Sequence, residues 1–180
     1  MRVGVFVCLF AVGLVGKAQN FVKAHIITIK HDTIYGEAQV NEKKPIMKFE
    51  KVIFKDQNGI QKNYKPEKLL EYTMGDDRFI SLDTDGYPRF YKVLAAGSIN
   101  LYELIVEMQV GKNIVPQTEY YLSNAGNKKL VAVKTKRFNK QLLDWMGDFG
   151  AIASKYNKEE FDVALATTLI KEYNGAKVQH

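Results

Sequence analysis

Residues 129–149 read KLVAVKTKRFNKQLLDWMGDF, and the hydrophobic period changes inside them. Lys134 closes a stretch, begun at Phe21, of mostly two-residue period, interrupted by turn chemistry at intervals of roughly eight to twelve residues. Beyond it Phe138, Leu142, Trp145, Met146 and Phe149 fall on one face of a helix that Thr135 is placed to cap, with Lys136, Arg137 and Lys140 off the apolar stripe. A second helix follows. Asn157-Lys158-Glu159-Glu160 offers a cap residue with a glutamate three later, and Phe161, Ala164, Leu165, Thr168, Leu169 and Tyr173 form a stripe that Asn174-Gly175 is expected to end. A helix with one apolar face must cover something, and a sheet with an open face is the natural partner. The expected fold is therefore a single α+β domain over 19–180. Its antiparallel sheet or partly open barrel of about 8–10 strands occupies 19–134, and two C-terminal amphipathic helices occupy 135–175.

Working back toward the N-terminus, Ile34, Gly36, Ala38 and Val40 alternate with Tyr35, Glu37 and Gln39, as in a strand with one wet face. The preceding HIITIK run is apolar on both parities and suits a central strand, turned into the next by His31-Asp32-Thr33. Asn58-Gly59, between KVIFK and IQKNYK, marks a tight hairpin. Asp85-Gly86 and Asn124-Ala125-Gly126-Asn127 mark two further turns, and Asn100–Val110 alternates as a long strand. Pro66-Glu67-Lys68 predicts one helical turn. MKFEKVIFK changes parity near Glu50-Lys51, so a bulge is expected in a strand that runs through it.

Residues 1–18, MRVGVFVCLFAVGLVGKA, read as a secretory signal peptide cut between Ala18 and Gln19. Its apolar run from Val3 to Val15 is well short of the ~20 residues that span a bilayer, so no transmembrane segment is expected in the mature chain. Processing removes Arg2 and Lys17 from 26 Lys+Arg, leaving 24 against 20 Asp+Glu, so the net charge falls from +6 to +4. The one cysteine, Cys8, leaves with the leader. It lies inside the apolar run, where it cannot serve as a lipid acceptor. Disulfides, a Cys-ligated zinc and a thiol nucleophile are thereby excluded from the mature chain. The expected location is the periplasm or the outer membrane's surroundings.

Chemistry-bearing residues are few. His25 and His31 would lie ~20 Å apart along one strand, too far to share a metal ion. Asp76, Asp77, Asp83 and Asp85 suit turns better than a calcium loop, which needs further alternate ligands and a closing glutamate. Ser81, Ser98, Ser123 and Ser154 stand in no nucleophile elbow, and no glycine pattern fits a phosphate loop. No catalytic, cofactor-binding or metal-binding residue is assigned on these grounds. Seven Lys+Arg lie between Lys112 and Lys140 against the single acid Glu119. Export argues against nucleic acid, which leaves Lys128, Lys129, Lys136 and Arg137 as candidate contacts for an anionic head group or glycan. Tyr35, Tyr64, Tyr87 and Tyr121 fall outward or in turns and are candidates for a contact surface.

The order of motifs resembles a family of uncharacterised exported proteins of Bacteroidota. Its carriers here are Asp32, Thr33, Ile34 and Gly36 in a "GDTIxG"-type strand, then Tyr64-Lys65-Pro66-Glu67, Gly97, Asn100-Leu101-Tyr102 and Tyr173-Asn174. Some members of that family precede an outer-membrane β-barrel, so the resemblance implies a module that works alone or beside a membrane partner. The expected function is a non-enzymatic envelope module that binds a protein, a glycan or a membrane surface. The competing expectations are a small metal-independent hydrolase or lyase built from Asp, Tyr and Lys, and a β-barrel that holds a small apolar ligand.

Overall fold

A computed structural model describes residues 20–178 except 85, 126 and 157–159, with the backbone but not the side chains of 127, 128 and 148. The expected leader, its Ala18–Gln19 junction, Asp85, Gly126, the cap at Asn157 and His180 lie outside the described residues. The strands are β1 (Phe21–Thr28), β2 (Thr33–Gln39), β3 (Val52–Asp56), β4 (Gln61–Tyr64), β5 (Leu69–Met74), β6 (Asp77–Thr84), β7 (Tyr87–Ala95), β8 (Ile99–Val110), β9 (Asn113–Asn124) and β10 (Asn127–Ala132). The helices are α1 (Met47–Glu50), α2 (Phe138–Trp145), α3 (Gly150–Ala153) and α4 (Val163–Val178). The ten strands form one open sheet in the order β10-β9-β8-β7-β6-β5-β1-β2-β3-β4. Every neighbouring pair is antiparallel. The fold is α+β, as the change of period predicts.

One crossover sets the topology. The 3-10 turn Pro66–Lys68 brings the chain from β4 at one edge back to the free side of β1, where β5 pairs. From β5 to β10 each strand is joined to the next by a hairpin, so β4 and β10 become the two edges. Strand registers put Ile26, Tyr72 and Phe79 on a common face with Phe90. Tyr72 stacks on Phe79 at 4.6 Å and meets Phe90 edge-on at 4.8 Å. The helical turn α1 lays Phe49 against Phe79 at 5.8 Å, and the Tyr72 hydroxyl donates to the Lys48 carbonyl. Packed aromatic side chains thus fill this face. Further along the same face Ile99, Leu101 and Leu122 receive Phe138, Leu142, Met146, Ile152, Leu169, Ile170 and Tyr173 from the C-terminal helices.

Four expectations need correction. MKFEKVIFK is not one bulged strand: Met47–Glu50 forms α1, and β3 begins at Val52. Its parity change is that of a helical turn that buries Phe49 over the sheet. The Asn58-Gly59 hairpin forms, but as a three-residue loop rather than with positive φ at both residues. The Gly59 N–H bonds the Asp56 carbonyl, Gly59 alone takes a positive φ of 79°, and the Asp56 carboxylate accepts the N–H groups of Asn58 and Ile60. Thr135 makes no cap, because Thr135–Arg137 is itself a 3-10 turn leading into α2. Finally, α4 starts one residue after Asp162, whose carboxylate accepts the Leu165 N–H, and it continues through Asn174-Gly175 to Val178.

Asn174 continues the helix because its side chain is committed elsewhere. It is buried, its Oδ1 accepts the Ile99 N–H at 2.9 Å, and its Nδ2 donates to the Ile99 carbonyl at 2.7 Å. One amide satisfies both polar groups of a strand residue, as a paired strand would. Gly97 makes room for it: a Cβ there would lie 2.6 Å from the Asn174 side chain, and its φ of 152° is unfavourable for other residues.

Candidate functional site

The basic stretch that the sequence singles out folds into a notch where β10 leaves the sheet for α2. Val133 donates its N–H to the Tyr120 carbonyl, and the chain then turns away. Gln141, buried on the first turns of α2, accepts the Lys134 N–H at 2.9 Å and donates to the Ala132 carbonyl at 3.1 Å. That two-point bond fixes the connection against the helix. The 3.6-residue repeat then brings Arg137, Lys140, Asp144 and Trp145 around one side, with Lys134 and Val131 facing them.

These residues line a cleft of about 280 Å³. That volume is just under the roughly 300–1,000 Å³ of small-molecule sites, so it suits a group about the size of one sugar ring. Three cations and one carboxylate leave it a formal +2. Among the described residues, none of Lys134, Arg137 and Lys140 is engaged in an ion pair. Trp145, the chain's single tryptophan, packs part of its ring on the helix core and leaves part in the cleft. Such an arrangement can stack on an apolar ring face while its cations bond carboxylate or sulfate groups at the ring edge.

Arg137 therefore falls in the cleft, while Lys136 is exposed on the adjoining 3-10 turn and is not among the lining residues. Lys129 sits on β10, and the side chain of Lys128 lies outside the described set. Lys134, Lys140 and Trp145 complete the site: the spacing of 137, 140, 141, 144 and 145 around one helix face signals Lys140 and Trp145, whereas Lys134 precedes the helix and joins through the turn that Gln141 braces. The four candidate tyrosines are spread over β2, β4, β7 and β9 and form no single surface. Tyr35 and Tyr87 are 59% and 74% exposed, but Tyr64 packs edge-on against Phe54 at 6.3 Å. Tyr121 meets Tyr91 at 5.6 Å and donates to Glu119 at 2.6 Å, and burial followed by that carboxylate raises its phenol pKa.

Among the described residues the aspartates do not gather around a site. Asp77 begins β6 and pairs with Lys92 at 2.6 Å, while Asp83 stands six residues on, about 20 Å along the strand. His31 occupies the β1–β2 turn with a positive φ of 66°. His25 instead joins a cluster that sequence spacing does not reveal, since its members meet only when β1, β5 and β6 pair. Its Nδ1 lies 3.1 Å from the Thr73 hydroxyl, its Nε2 3.9 Å from Glu71, and Glu71 holds Arg78 at 2.6 Å. The Thr73 hydroxyl also accepts the His25 backbone N–H at 2.9 Å, which ties it into the sheet.

Three more clefts are open to solvent. Two flank the 41–51 segment, of about 340 and 430 Å³, and share Lys44, Pro45, Met47 and Lys51. The third, about 750 Å³, lies over β1–β3 beside Tyr35. Among the described residues no three His, Cys, Asp or Glu converge as metal ligands, and no helix is long and apolar enough to cross a membrane. Comparison of the chain with protein-family models, with curated proteins and with solved structures finds no match.

Proposed function

We propose that this chain is a non-enzymatic binding module of the cell envelope, exported by loss of residues 1–18, and that it docks an acidic glycan in the β10–α2 cleft. The observation that carries this is the convergence of Lys134, Arg137 and Lys140, none of them ion-paired among the described residues, on a half-buried Trp145. Unpaired cations cost little to bring to an anionic partner, because no existing pair has to be broken first. Their attachment to a helix and to the turn that Gln141 braces keeps the group in place before binding.

Trp145 is a built-in reporter. Titration of the mature chain with polygalacturonate should change its fluorescence saturably, and the apparent Kd should rise with salt. Uncharged dextran should produce no change. Arg137→Glu combined with Lys134→Glu should weaken binding by about tenfold or more. Silence with polygalacturonate, or an equal response to dextran, would overturn the glycan assignment. Export is checked separately: the protein recovered from the periplasmic or surface fraction should begin at Gln19, and a chain retaining 1–18 in the cytosol would exclude it.

A further inference from the structure

The β8–β9 hairpin outruns its neighbours. Both strands are 12 residues long, but β7 pairs with β8 only at Leu101–Glu103, and β10 with the following Val133 accompanies β9 only from Tyr120 onward. Among the described residues no strand pairs with the ribbon beyond them on either edge. Glu107 to Val110 and Asn113 to Pro116 are all exposed, with Ile114 at 67% and Val110 at 55%. Gly111-Lys112 closes the ribbon, Gly111 taking the positive φ of 63° that a two-residue turn with glycine first requires.

We propose that this tip is a lipid-contact arm, whose apolar end enters the interfacial layer of an anionic membrane while lysines hold the head groups. The register puts Met108 opposite Val115 on one face and leaves Ile114 on the other. A protein laid on a ribbon covers one face, whereas a lipid surface surrounds a tip from every side. Strand addition is disfavoured at both edges. Counting outward from the bonded Val110–Asn113 pair, Glu107 and Pro116 direct their backbone groups to the free edges. Pro116 has no N–H to offer, and Glu107 carries a charge there.

Charge and length fit the same occupant. Lys112 is on the turn, and Lys43, Lys44 and Lys51 share a cleft with Ile114 and Pro116, where Glu50 and Glu107 leave a formal +1 beside the apolar end. From Met108 to Val110 the strand advances about 7 Å, comparable with the roughly 5–10 Å to which interfacial elements sink. The arm does not depend on the glycan cleft.

The test uses the mature chain with vesicles of phosphatidylcholine alone or mixed with phosphatidylglycerol. Cosedimentation is expected with the mixed vesicles and should fall by about tenfold in Ile114→Asp with Val110→Asp. Lys43→Glu with Lys44→Glu should weaken binding to the mixed vesicles as well. An Ile114→Trp variant on a Trp145→Phe background should shift its emission to the blue on adding mixed vesicles, which reports burial whether or not the acidic variants fold. No binding, binding that the tip variants leave unchanged, or a dimer in sedimentation that the tip variants dissociate would each overturn the arm.

Discussion

The two ends of the β8–β9 hairpin carry similar side chains and meet opposite surroundings. At one end Ile99, Leu101 and Leu122 are almost fully buried beneath α2, α3 and α4, whereas at the other Met108, Val110, Ile114 and Val115 face solvent. The unbroken register places Ile114 on the same face as Ile99, Leu101 and Leu122, and Met108, Val110 and Val115 on the opposite face. What changes is the cover, and the cover comes from a part of the chain far away in sequence. Strand periodicity therefore reports that Ile99, Leu101, Leu122 and Ile114 share a face, and the helices decide that the first three become core while Ile114 stays exposed.

If this is so, the covered end should be costly to disturb and the tip cheap. Phe138→Ala removes the ring that packs edge-on to Tyr156 at 5.0 Å and Phe161 at 4.7 Å, and it should cost about 3–5 kcal/mol in a urea melt. A loss below about 1 kcal/mol would mean that the helices contribute little to stability and would erase the contrast. Asn174→Leu keeps the bulk but strands the Ile99 N–H and carbonyl, so about 2–4 kcal/mol should be lost. Hydrogen exchange at the Ile99 amide should accelerate at the same time, which separates loss of the bond from general destabilisation. At the tip Val110→Thr should change stability by no more than about 0.5 kcal/mol by the same melt. A larger effect would show that the ribbon is supported by contacts within the domain.

Much of this architecture is legible in the residues. Ile34 to Val40 announce one wet and one dry face, Pro66 announces its 3-10 turn, and the spacing of Phe138, Leu142 and Met146 predicts the buried side of α2. Legibility fails where a local rule competes with a distant partner. Asn174-Gly175 is a good helix stop in isolation, and it is overridden because Ile99 captures the Asn174 amide. Met47–Glu50 looks like strand because one helical turn is too short to show its period. The hairpin tip has a local signal in Gly111-Lys112, flanked by alternating residues on either side, yet its exposure depends on how far β7 and β10 extend. The basic cleft is half visible: charge density marks Arg137, but only the turn that Gln141 braces brings Lys134 opposite Lys140 and Trp145.

The Asn174–Ile99 pair joins residues 75 positions apart, and this has a temporal meaning. A chain delivered from its N-terminus can lay down all ten strands and still leave the Ile99 backbone unsatisfied, because the amide that completes it arrives with the last turns of α4. Until then the helix-facing side of β8 and β9 is as bare as the tip. Contacts of such long sequence separation form late and slowly. The consequence is an order of assembly: the native state closes only when α4 has packed and its amide has reached Ile99.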